Sequence, residues 1–340
     1  MQALHLLEPG QVEVIDLPMP TPDAGEVVVR VECALTCGTD VKAYRRGHPF
    51  IPMPGPFGHQ YSGTISAVGA GVDAFESGQA IWGVHSAPCF DCPACGRGCH
   101  SLCTRLREHM VIGAFAQYLR IPRQVVEQSL LARPTSLSSL TAAFLEPVSC
   151  IVHAMSMVDW TRTERVLVLG LGSMGLLFTQ LLRTMTQCAV VAVGRQEVRL
   201  NLARSYGLEG VVAAGPDGEF DRSVANEYDC VVECTGVESG WRSALDAVCP
   251  GGHVLFFGGL PKGTMFAVDS YQLHYGETHL HGAFHFGPND VRKAAEIIAA
   301  GALRLDEMIS DTLPLSCVQH GLKEMGAGRA IKFAVDPWSE

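Results

Sequence analysis

The stretch Val166–Gly175, VLVLGLGSMG, decides the fold of the second half of this chain of 340 residues. Its first four residues are apolar and predict a buried strand, and the run LLFTQLLRTM at residues 176–185 predicts that a helix follows. The glycines between them have the spacing G-x-G-x-x-G. Glycine permits a tight turn there and lets the backbone approach a pyrophosphate at the helix N-terminus. We therefore predict a dinucleotide site rather than an unliganded turn, with contacts from Gly170, Gly172, Ser173, Met174 and Gly175.

The alternation of strand and helix continues on the carboxyl side of this stretch. Apolar runs that predict strands alternate with helical patterns, in the order AVVAVG (189–194), EVRLNLARSYG (197–207), CVVECTG (230–236), SGWRSALDAV (239–248) and HVLFFGG (253–259). Strands and helices at this spacing indicate βαβ units and a parallel sheet. We therefore predict a doubly wound α/β domain that begins near residue 151.

The first 150 residues have a different pattern, rich in Gly, Pro and β-branched residues. Segments such as EVVVRVECAL (26–35) and GTISAVGAGV (63–72) predict short strands separated by turns. After residue 289 the pattern predicts a helix at 291–301, then a strand, a helix and the strand IKFAV at 331–335. A chain of this length usually forms two domains, so we expect a mostly-β domain beside the α/β domain.

The end of the second predicted strand of the α/β domain bears on the choice of cofactor. An NAD site usually has an acidic residue there to hold the ribose hydroxyls, whereas this strand ends in Gly194 and Arg195 follows. Glycine leaves room for a 2′-phosphate, and a guanidinium can bind it with two hydrogen bonds. Arg199, one helical turn further on, adds a second candidate contact. We therefore favour NADP(H) over NAD(H), although Arg195 as a solvated residue at the start of a helix is the alternative.

The composition excludes several classes of partner. The net charge of −10 argues against nucleic acid and anionic membrane surfaces, and hydrophobic residues at 47% indicate a well-buried globular protein. The amino-terminal sequence has no signal-peptide pattern, so we expect a cytoplasmic protein whose thirteen cysteines are mostly reduced. An odd number of cysteines also cannot form a complete set of disulfides.

Five of these cysteines lie within sixteen residues, PCFDCPACGRGCHSLC at 88–103. Four of them, Cys89, Cys92, Cys95 and Cys103, have the spacing C-x2-C-x2-C-x7-C, which lets four thiolates converge on one tetrahedral zinc ion. The segment is too polar to form a core of its own, so the metal would order it. Cys99 is the spare cysteine, an alternative ligand whose spacing fits less well. A loop of free thiols is the weaker interpretation.

Three further motifs lie apart in the sequence: Cys37-Gly38-Thr39-Asp40, Gly58-His59-Gln60 and Glu146-Pro147. With the cysteine quartet between them and the glycine-rich loop after them, the chain resembles the zinc-dependent medium-chain dehydrogenase/reductase family. Within that family it is most similar to the polyol (sorbitol) and threonine dehydrogenase branch, over nearly its whole length. The resemblance implies a GroES-like catalytic domain at 1–150 and 286–340 with a zinc lobe at about 88–104, a Rossmann domain at 151–285, and a homodimer or homotetramer.

The resemblance also implies roles for individual residues. Cys37 and His59 match catalytic zinc ligands, and Glu146 matches a third ligand or one that acts through water. Thr39 matches the hydroxyl that passes the substrate's proton towards solvent, and Asp40 matches the carboxylate that orients the imidazole. The cysteine quartet matches a structural zinc site, which makes two zinc ions per chain. Further cofactor contacts are expected from Thr235, Gly236, Phe257, Gly258, Gly259, Ala283, Phe284 and His285.

One residue departs from the pattern of the branch, which usually has glutamate after the histidine. This chain has Gln60, which is neutral and a poorer zinc ligand, and we treat it as a candidate further contact. One hypothesis is that the zinc is more electrophilic here and depends more on Glu146. The competing hypothesis is that Gln60 marks a weakened or absent catalytic metal.

The resemblance predicts an oxidoreductase that transfers hydride between NADP(H) and a secondary alcohol or ketone, with a polyol, a sugar or a cyclitol as substrate. Two alternatives stay open from the sequence. One is a zinc-free NADPH reductase of activated double bonds, against which the set of Cys37, His59 and Glu146 argues. The other is a nucleotide-binding or redox-sensing protein without turnover, in which the cysteine lobe acts as a switch.

Overall fold

The computed structural model describes residues 1–215 and 226–340 of the chain. These residues form two compact units. The first contains Met1–Cys150 and His285–Glu340, and the second contains Ile151–Phe284. The family resemblance predicts residue 285 in the second unit, whereas His285 belongs to the first.

The first unit is built mainly from strands, which form two sheets. Its strands are β1 (Gln2–Glu8), β2 (Gln11–Asp16), β3 (Val27–Leu35), β4 (Gly55–Pro56), β5 (Tyr61–Val68), β6 (Ala80–Gly83), β7 (Tyr118–Ile121), β8 (Leu131–Ala132), β15 (Ile309–Leu313) and β16 (Lys332–Val335). One sheet has the order β2-β1-β4, and the other has the order β15-β16-β3-β5-β6-β8, with β7 paired to β3. The helices are α1 (Gly38–Arg46), α2 (Pro93–Gly96), α3 (Arg123–Gln128), α4 (Ser139–Ala142), α10 (Pro288–Ala299) and α11 (Val318–Gly326), and α5 (Leu145–Met155) contains the boundary between the units.

Strand β3 organises the larger sheet of the first unit. It is antiparallel to β5 and β7, and its carboxyl end is antiparallel to β16, with Ala334 opposite Leu35. Four of its nine residues are valine and seven of the nine are buried, as expected for a central strand with both faces covered. The prediction of a strand at 26–35 is therefore confirmed, whereas the strand predicted at 63–72 ends at Val68 because a turn begins there.

The described residues of the second unit form one parallel sheet. Its strands are β9 (Arg165–Leu169), β10 (Ala189–Gly194), β11 (Gly210–Ala213), β12 (Tyr228–Glu233), β13 (Val248–Phe256) and β14 (His279–Gly282), and its helices besides the end of α5 are α6 (Ser173–Met185), α7 (Glu197–Ser205), α8 (Glu238–Ala247) and α9 (Ser270–Tyr275). The strand order is β11-β10-β9-β12-β13-β14, and every neighbouring pair is parallel. Numbered from β9, this is the order 3-2-1-4-5-6 of the doubly wound dinucleotide-binding fold, so the predicted fold class is confirmed.

The strand order has a direct consequence for the loops. The carboxyl ends of parallel strands lie at one edge of the sheet, so the loops that follow β9, β10, β12, β13 and β14 meet there. We call this the carboxyl edge of the sheet. It gathers five sequence segments that lie up to about a hundred residues apart, and all the cofactor contacts predicted in the second unit lie on these segments or on the start of the helix that follows.

Among the residues that the structure describes, no helix is both long enough and apolar enough to cross a membrane.

Candidate active site

Cys37 lies at the amino terminus of helix α1, immediately after strand β3. Its backbone N–H donates to Oδ2 of Asp40 (2.8 Å), and its Sγ accepts a hydrogen bond from the backbone N–H of Thr39 (3.3 Å). These contacts form a capping box in which a cysteine has the place usually taken by serine or threonine. The cap therefore fixes the direction of the Cys37 thiol without using any residue outside the motif CGTD.

His59 reaches the same point from the segment that precedes strand β5. Its Nε2 lies 3.3 Å from Sγ of Cys37, and its Nδ1 lies 3.2 Å from Oδ1 of Asp40. All three residues are buried. Burial alone would lower the pKa of His59, but the charges of Cys37 and Asp40 outweigh burial and raise that pKa well above its ordinary value. The surroundings of the ring therefore favour positive charge.

The geometry of this group fits a bound zinc ion. With bonds of about 2.3 Å to sulfur and 2.0–2.1 Å to nitrogen, tetrahedral ligand atoms would lie roughly 3.6 Å apart. The separation of 3.3 Å between Cys37 and His59 is close to that value. One ligand atom from each of Cys37, Asp40 and His59 lies within 4.8 Å of the other two. Asp40, however, faces the other nitrogen of the ring, which is where a carboxylate that orients a metal-bound histidine lies.

Glu146 is not part of that group of three in the described chain, although it lies close by. It is in the first turn of α5 and is buried. Its Oε2 accepts a hydrogen bond from Nε2 of Gln60 (2.6 Å), and its Oε1 accepts one from Sγ of Cys150 (3.4 Å). Burial and the charge of Glu146 raise the pKa of the Cys150 thiol well above its ordinary value, so Cys150 stays a donor.

Gln60 is in turn bound by a lysine. Nζ of Lys332 donates to Oε1 of Gln60 (2.5 Å) and to the backbone oxygen of Thr36 (2.5 Å). Lys332 has no exposed surface, and burial lowers the pKa of its ammonium, against the opposing charges of Cys37 and other nearby anions. The structure thus shows a continuous series of contacts from Lys332 through Gln60 to Glu146.

His85 is a further buried side chain beside Glu146. Its Nδ1 lies 3.6 Å from Oε1 of Glu146, and its ring lies edge-on to His59 with centroids 5.2 Å apart. Burial, and then the charges of His285 and His59, lower the pKa of His85 well below its ordinary value. His85 is therefore neutral near pH 7.

The cysteine quartet forms a second cluster in the first unit. The four Sγ atoms of Cys89, Cys92, Cys95 and Cys103 all lie within 4.8 Å of one another. Cys89 and Cys95 are 4.0 Å apart, compared with about 3.8 Å between two sulfurs of a tetrahedral zinc site. Backbone hydrogen bonds from Cys95 and Thr104 lower the pKa of Cys92 to about 5, so that thiol is readily deprotonated. The donor set fits zinc, and Cys99 is outside the four.

In the second unit, the glycine-rich loop has the backbone that its motif predicts. Gly170 has φ +95°, and a Cβ at this position would lie 2.7 Å from Cγ2 of Thr235. A Cβ at Gly175 would lie 1.9 Å from the backbone oxygen of Gly170, so the helix can approach the strand only with glycine there. Helix α6 begins at Ser173 and includes Met174, and its amino terminus lies at the carboxyl edge.

The other predicted cofactor residues of this unit lie on the neighbouring loops of the same edge. Gly194 ends β10, Arg195 follows it, and Arg199 is in the first turn of α7. Burial, and then repulsion by the positive charge of Arg195, lower the pKa of Arg199. The remaining residues follow β12, β13 and β14 in turn: Thr235 and Gly236, then Phe257, Gly258 and Gly259, then Ala283 and Phe284.

Glu233 holds two of these loops together, and its role was not predicted from the sequence. It ends β12 and is fully buried. Its carboxylate accepts hydrogen bonds from the backbone of Thr235 (2.7 Å) and Gly236 (3.2 Å), while its backbone oxygen accepts from Gly258 (2.8 Å). An acidic residue inside the apolar run CVVECTG is the sequence signal that could have identified it.

Lys332 and His85 were also missed. Each is a polar residue within an otherwise apolar stretch, AIKFAV for the lysine and AIWGVHSA for the histidine. A charged residue in a strand whose neighbours are all apolar signals a buried partner. His285 is the predicted cofactor residue that the structure separates from the others, since it belongs to the first unit, has φ +63° and lies 2.6 Å from Oγ of Ser86 through its Nε2.

Comparison with known proteins gives matches along nearly the whole chain. The family model for the alcohol dehydrogenase GroES-like domain matches residues 23–129, and that for zinc-binding dehydrogenases matches residues 173–300. D-altritol 5-dehydrogenase of Agrobacterium fabrum is 27% identical over 93% of both chains. Sorbitol dehydrogenase of Bacillus subtilis is 25% identical over 98% of this chain and 94% of that protein.

A solved structure agrees with these matches. A protein of Sinorhizobium meliloti 1021, described as a zinc-binding dehydrogenase and crystallised with NADP, is 28% identical to this chain. The alignment covers 99% of both chains, with a TM-score of 0.86. Together the two family models cover more than half of this chain. The first matches within the first unit, and most of the second matches within the second unit. The chain therefore belongs to the zinc-dependent medium-chain dehydrogenase/reductase family, within the alcohol dehydrogenase superfamily, and is an oxidoreductase.

Proposed function

We propose that the protein transfers hydride between NADP(H) and a secondary alcohol or ketone, and that its substrate is a polyol, a sugar or a cyclitol. The observation that carries this proposal is the buried pair of Cys37 and His59, whose ligand atoms lie 3.3 Å apart. A thiol and an imidazole at that separation are suited to a zinc ion. The substrate class is supported by relatives that are named for altritol, xylulose and sorbitol.

In this proposal Cys37 and His59 hold a catalytic zinc ion, and Glu146 supplies negative charge to it directly or through water. Such an ion supplies a Lewis acid for the substrate oxygen, while the nicotinamide supplies or accepts the hydride. Asp40 holds the His59 ring through Nδ1, so that Nε2 stays directed towards Cys37. Oγ1 of Thr39 takes the proton of the alcohol and passes it towards solvent.

We assign the cysteine quartet to a second, structural zinc ion. The four thiols are close enough to share one ion, and three of them are buried. The small apolar cluster around them contains Leu106 and Ala94 as its other buried members, which is too little for an independent core. A metal bound there would hold the lobe in its folded form.

We favour NADP(H) as the cofactor because the carboxyl edge presents positive charge where an acidic residue would select NAD(H). Gly194 and Arg195 replace that residue, and Arg199 lies one turn further along α7. Arg195 and Arg199 provide two guanidinium groups for a 2′-phosphate. The relative from Sinorhizobium meliloti was crystallised with NADP, which supports the same choice.

The proposal is tested by metal analysis combined with a substrate panel. Zinc is measured per chain in the purified protein, and polyols, sugars and cyclitols are assayed with NADP+ and NAD+ at the nicotinamide absorbance. Two zinc ions per chain and faster turnover with NADP+ are expected. One zinc ion with reduction of activated double bonds would instead indicate the zinc-free reductase. Absence of turnover, with zinc released by oxidants, would indicate the redox sensor.

The expected homodimer or homotetramer and the expected cytoplasmic location stay predictions. Light scattering coupled to size-exclusion chromatography measures the first directly.

A further inference from the structure

We propose that Lys332 is a positioning residue that fixes the carboxylate of Glu146 through the side-chain amide of Gln60. This inference rests on the proposed function in one respect, namely that it gives Glu146 a place beside the catalytic metal. Neither Lys332 nor the orientation of Gln60 follows from the family models or from the names of the relatives.

Backbone pairing brings Lys332 and Gln60 together from distant parts of the chain. Strand β16 pairs with the end of β3, and the backbone N–H of Thr36 donates to the backbone oxygen of Phe333 (3.0 Å). The backbone oxygen of Gln60 accepts from Leu35 on the same strand (3.0 Å). Strand β3 thus serves as a common frame on which Lys332 and Gln60 are placed side by side.

The contacts of Lys332 explain why it needs Gln60. Its side chain is fully buried, and a buried ammonium is costly unless acceptors surround it. Its two acceptors, Thr36 O and Gln60 Oε1, are both neutral, and no carboxylate of the described chain forms an ion pair with it. The nearest carboxylate in this series of contacts is that of Glu146, which is reached through the amide.

The orientation of the Gln60 amide is fixed by its two neighbours. Its oxygen faces a donor, Nζ of Lys332, and its nitrogen faces an acceptor, Oε2 of Glu146. The reversed amide would place its NH2 against an ammonium and its oxygen against a carboxylate, and would lose both hydrogen bonds. Since its oxygen faces Lys332 and its nitrogen faces Glu146, the amide of Gln60 serves here as a link between the two side chains rather than as a metal ligand.

The same series of contacts restrains Glu146. The amide holds Oε2, and the thiol of Cys150 donates to Oε1. A glutamate at position 60 would replace a donor by a second carboxylate 2.6 Å from the first, and like charges at that distance repel strongly. A neutral residue that donates on one side and accepts on the other is what joins a lysine to a carboxylate. Lys332, Gln60 and Glu146 therefore act together as one hydrogen-bonded series.

The experiment is a double-mutant cycle on the full-length protein with the variants Lys332→Met, Glu146→Gln and their combination. One readout is the retention of the catalytic zinc ion proposed at Cys37 and His59, in competition with a chelator, and the other is the free energy of unfolding. Each single change is expected to weaken zinc retention by about tenfold, the size typical of lost support behind a metal ligand. The combination is expected to be no more than about twice as weak as either single variant, because both remove the same series of contacts.

Three controls make the result specific. In a Gln60→Leu background, Lys332→Met should change zinc retention less than twofold, since the link is already cut. Lys332→Arg keeps a donor and should recover most of the retention, whereas Lys293→Met, on the exposed face of α10, should have no effect. If the effects of Lys332→Met and Glu146→Gln simply multiply, or if coupling persists in the Gln60→Leu background, Lys332 has only a structural role and the inference is wrong.

Failure of the proposed function would give a different result. If the wild-type protein holds a single zinc ion and turns over no alcohol, the proposed function fails. The same cycle is then measured on the free energy of unfolding, where non-additivity that disappears with Gln60→Leu supports the positioning role and additivity overturns it.

Discussion

Sγ of Cys37 and Nε2 of His59 lie 3.3 Å apart, although the two residues are 22 positions apart in the sequence. Both are buried, and Sγ also accepts the local capping hydrogen bond from the backbone N–H of Thr39. The relationship gives the first prediction. His59→Ala should lower the zinc content from two ions per chain to one and reduce turnover about 1,000-fold, the rate equivalent of several kcal/mol of Lewis-acid stabilisation. His320→Ala, at an exposed position of α11, is the control. A His59→Ala protein that still holds two zinc ions would contradict the assignment.

The second prediction concerns Asp40, which acts through the His59 ring. Asp40→Asn keeps an oxygen for the capping contact with the Cys37 backbone but removes the charge behind Nδ1. Loss of such a partner typically weakens metal binding about 10–100-fold. The measurement is competition for zinc with a chromogenic chelator, with the exposed Asp311→Asn as control. Unchanged zinc affinity in Asp40→Asn would show that Asp40 serves only as a helix cap.

A third prediction separates the four cysteines of the lobe from the fifth. Cys95→Ser should remove one zinc ion and lower the melting temperature by roughly 5–10 °C, because the lobe has little apolar core to replace the metal. Cys99→Ser should keep both zinc ions and the wild-type melting temperature, since Cys99 lies outside the group of four. Zinc analysis and calorimetry of the two variants make the comparison. Loss of metal in Cys99→Ser would mean that the ligand set is wrong.

The fourth prediction concerns cofactor choice. Arg195→Ala should raise KM for NADP+ by about 10–100-fold, the worth of one lost charge-assisted contact, and leave KM for NAD+ within about twofold. Arg195 is a better position to substitute than Gly194, because a Cβ at position 194 would lie 2.9 Å from Cδ1 of Leu171 and disturb the glycine-rich loop. Arg204→Ala, at an exposed position of α7, serves as control. Equal losses with both cofactors would show that Arg195 does not contact the 2′-phosphate.

The fifth prediction is a pH dependence of stability in the second unit. Nδ1 of His253 on β13 lies 2.9 Å from Nε2 of His281 on β14, and His279 stacks on His253. Burial, and then the neighbouring histidines, lower the pKa of both His253 and His281. The unfolded chain therefore binds more protons than the folded chain below about pH 6.5, so the free energy of unfolding falls as the pH falls through that range.

A single substitution tests this pH dependence. His253→Gln should flatten the decline of melting temperature between about pH 7 and 5, because one of the groups with a lowered pKa is gone. The exposed His320→Gln should leave the slope unchanged. Identical slopes for His253→Gln and the wild-type protein would rule out the histidine pair as the source.

The parts of the fold that the sequence predicts best are those set by local contacts. The stretch at 166–175 contains its own strand, turn and helix start, so its backbone could be inferred from ten residues. The cysteine quartet is likewise confined to one short segment. The directions of Cys37 and Asp40 are also local, since a capping box needs only the motif CGTD.

The residues that could not be predicted are those placed by long-range pairing. Lys332 and Gln60 are 272 positions apart and meet only because β16 pairs with β3. The sequence suggested that Glu146 is near the metal, but its hydrogen bond to Gln60 depends on where α5 begins relative to β5. His285 belongs to the first unit because the boundary falls after Phe284, where His285 has φ +63°. A hydrophobic pattern does not predict a single residue of that conformation.

The first unit is discontinuous, because residues 1–150 and 285–340 share it while the whole second unit is encoded between them. During synthesis the ribosome therefore finishes the cofactor-binding unit before it has made β16, the strand that delivers Lys332 to the site. Until then Cys37 and His59 belong to a first unit that lacks its last strand. We therefore expect the metal site proposed at Cys37 and His59 to reach its final form only after the whole chain has been made.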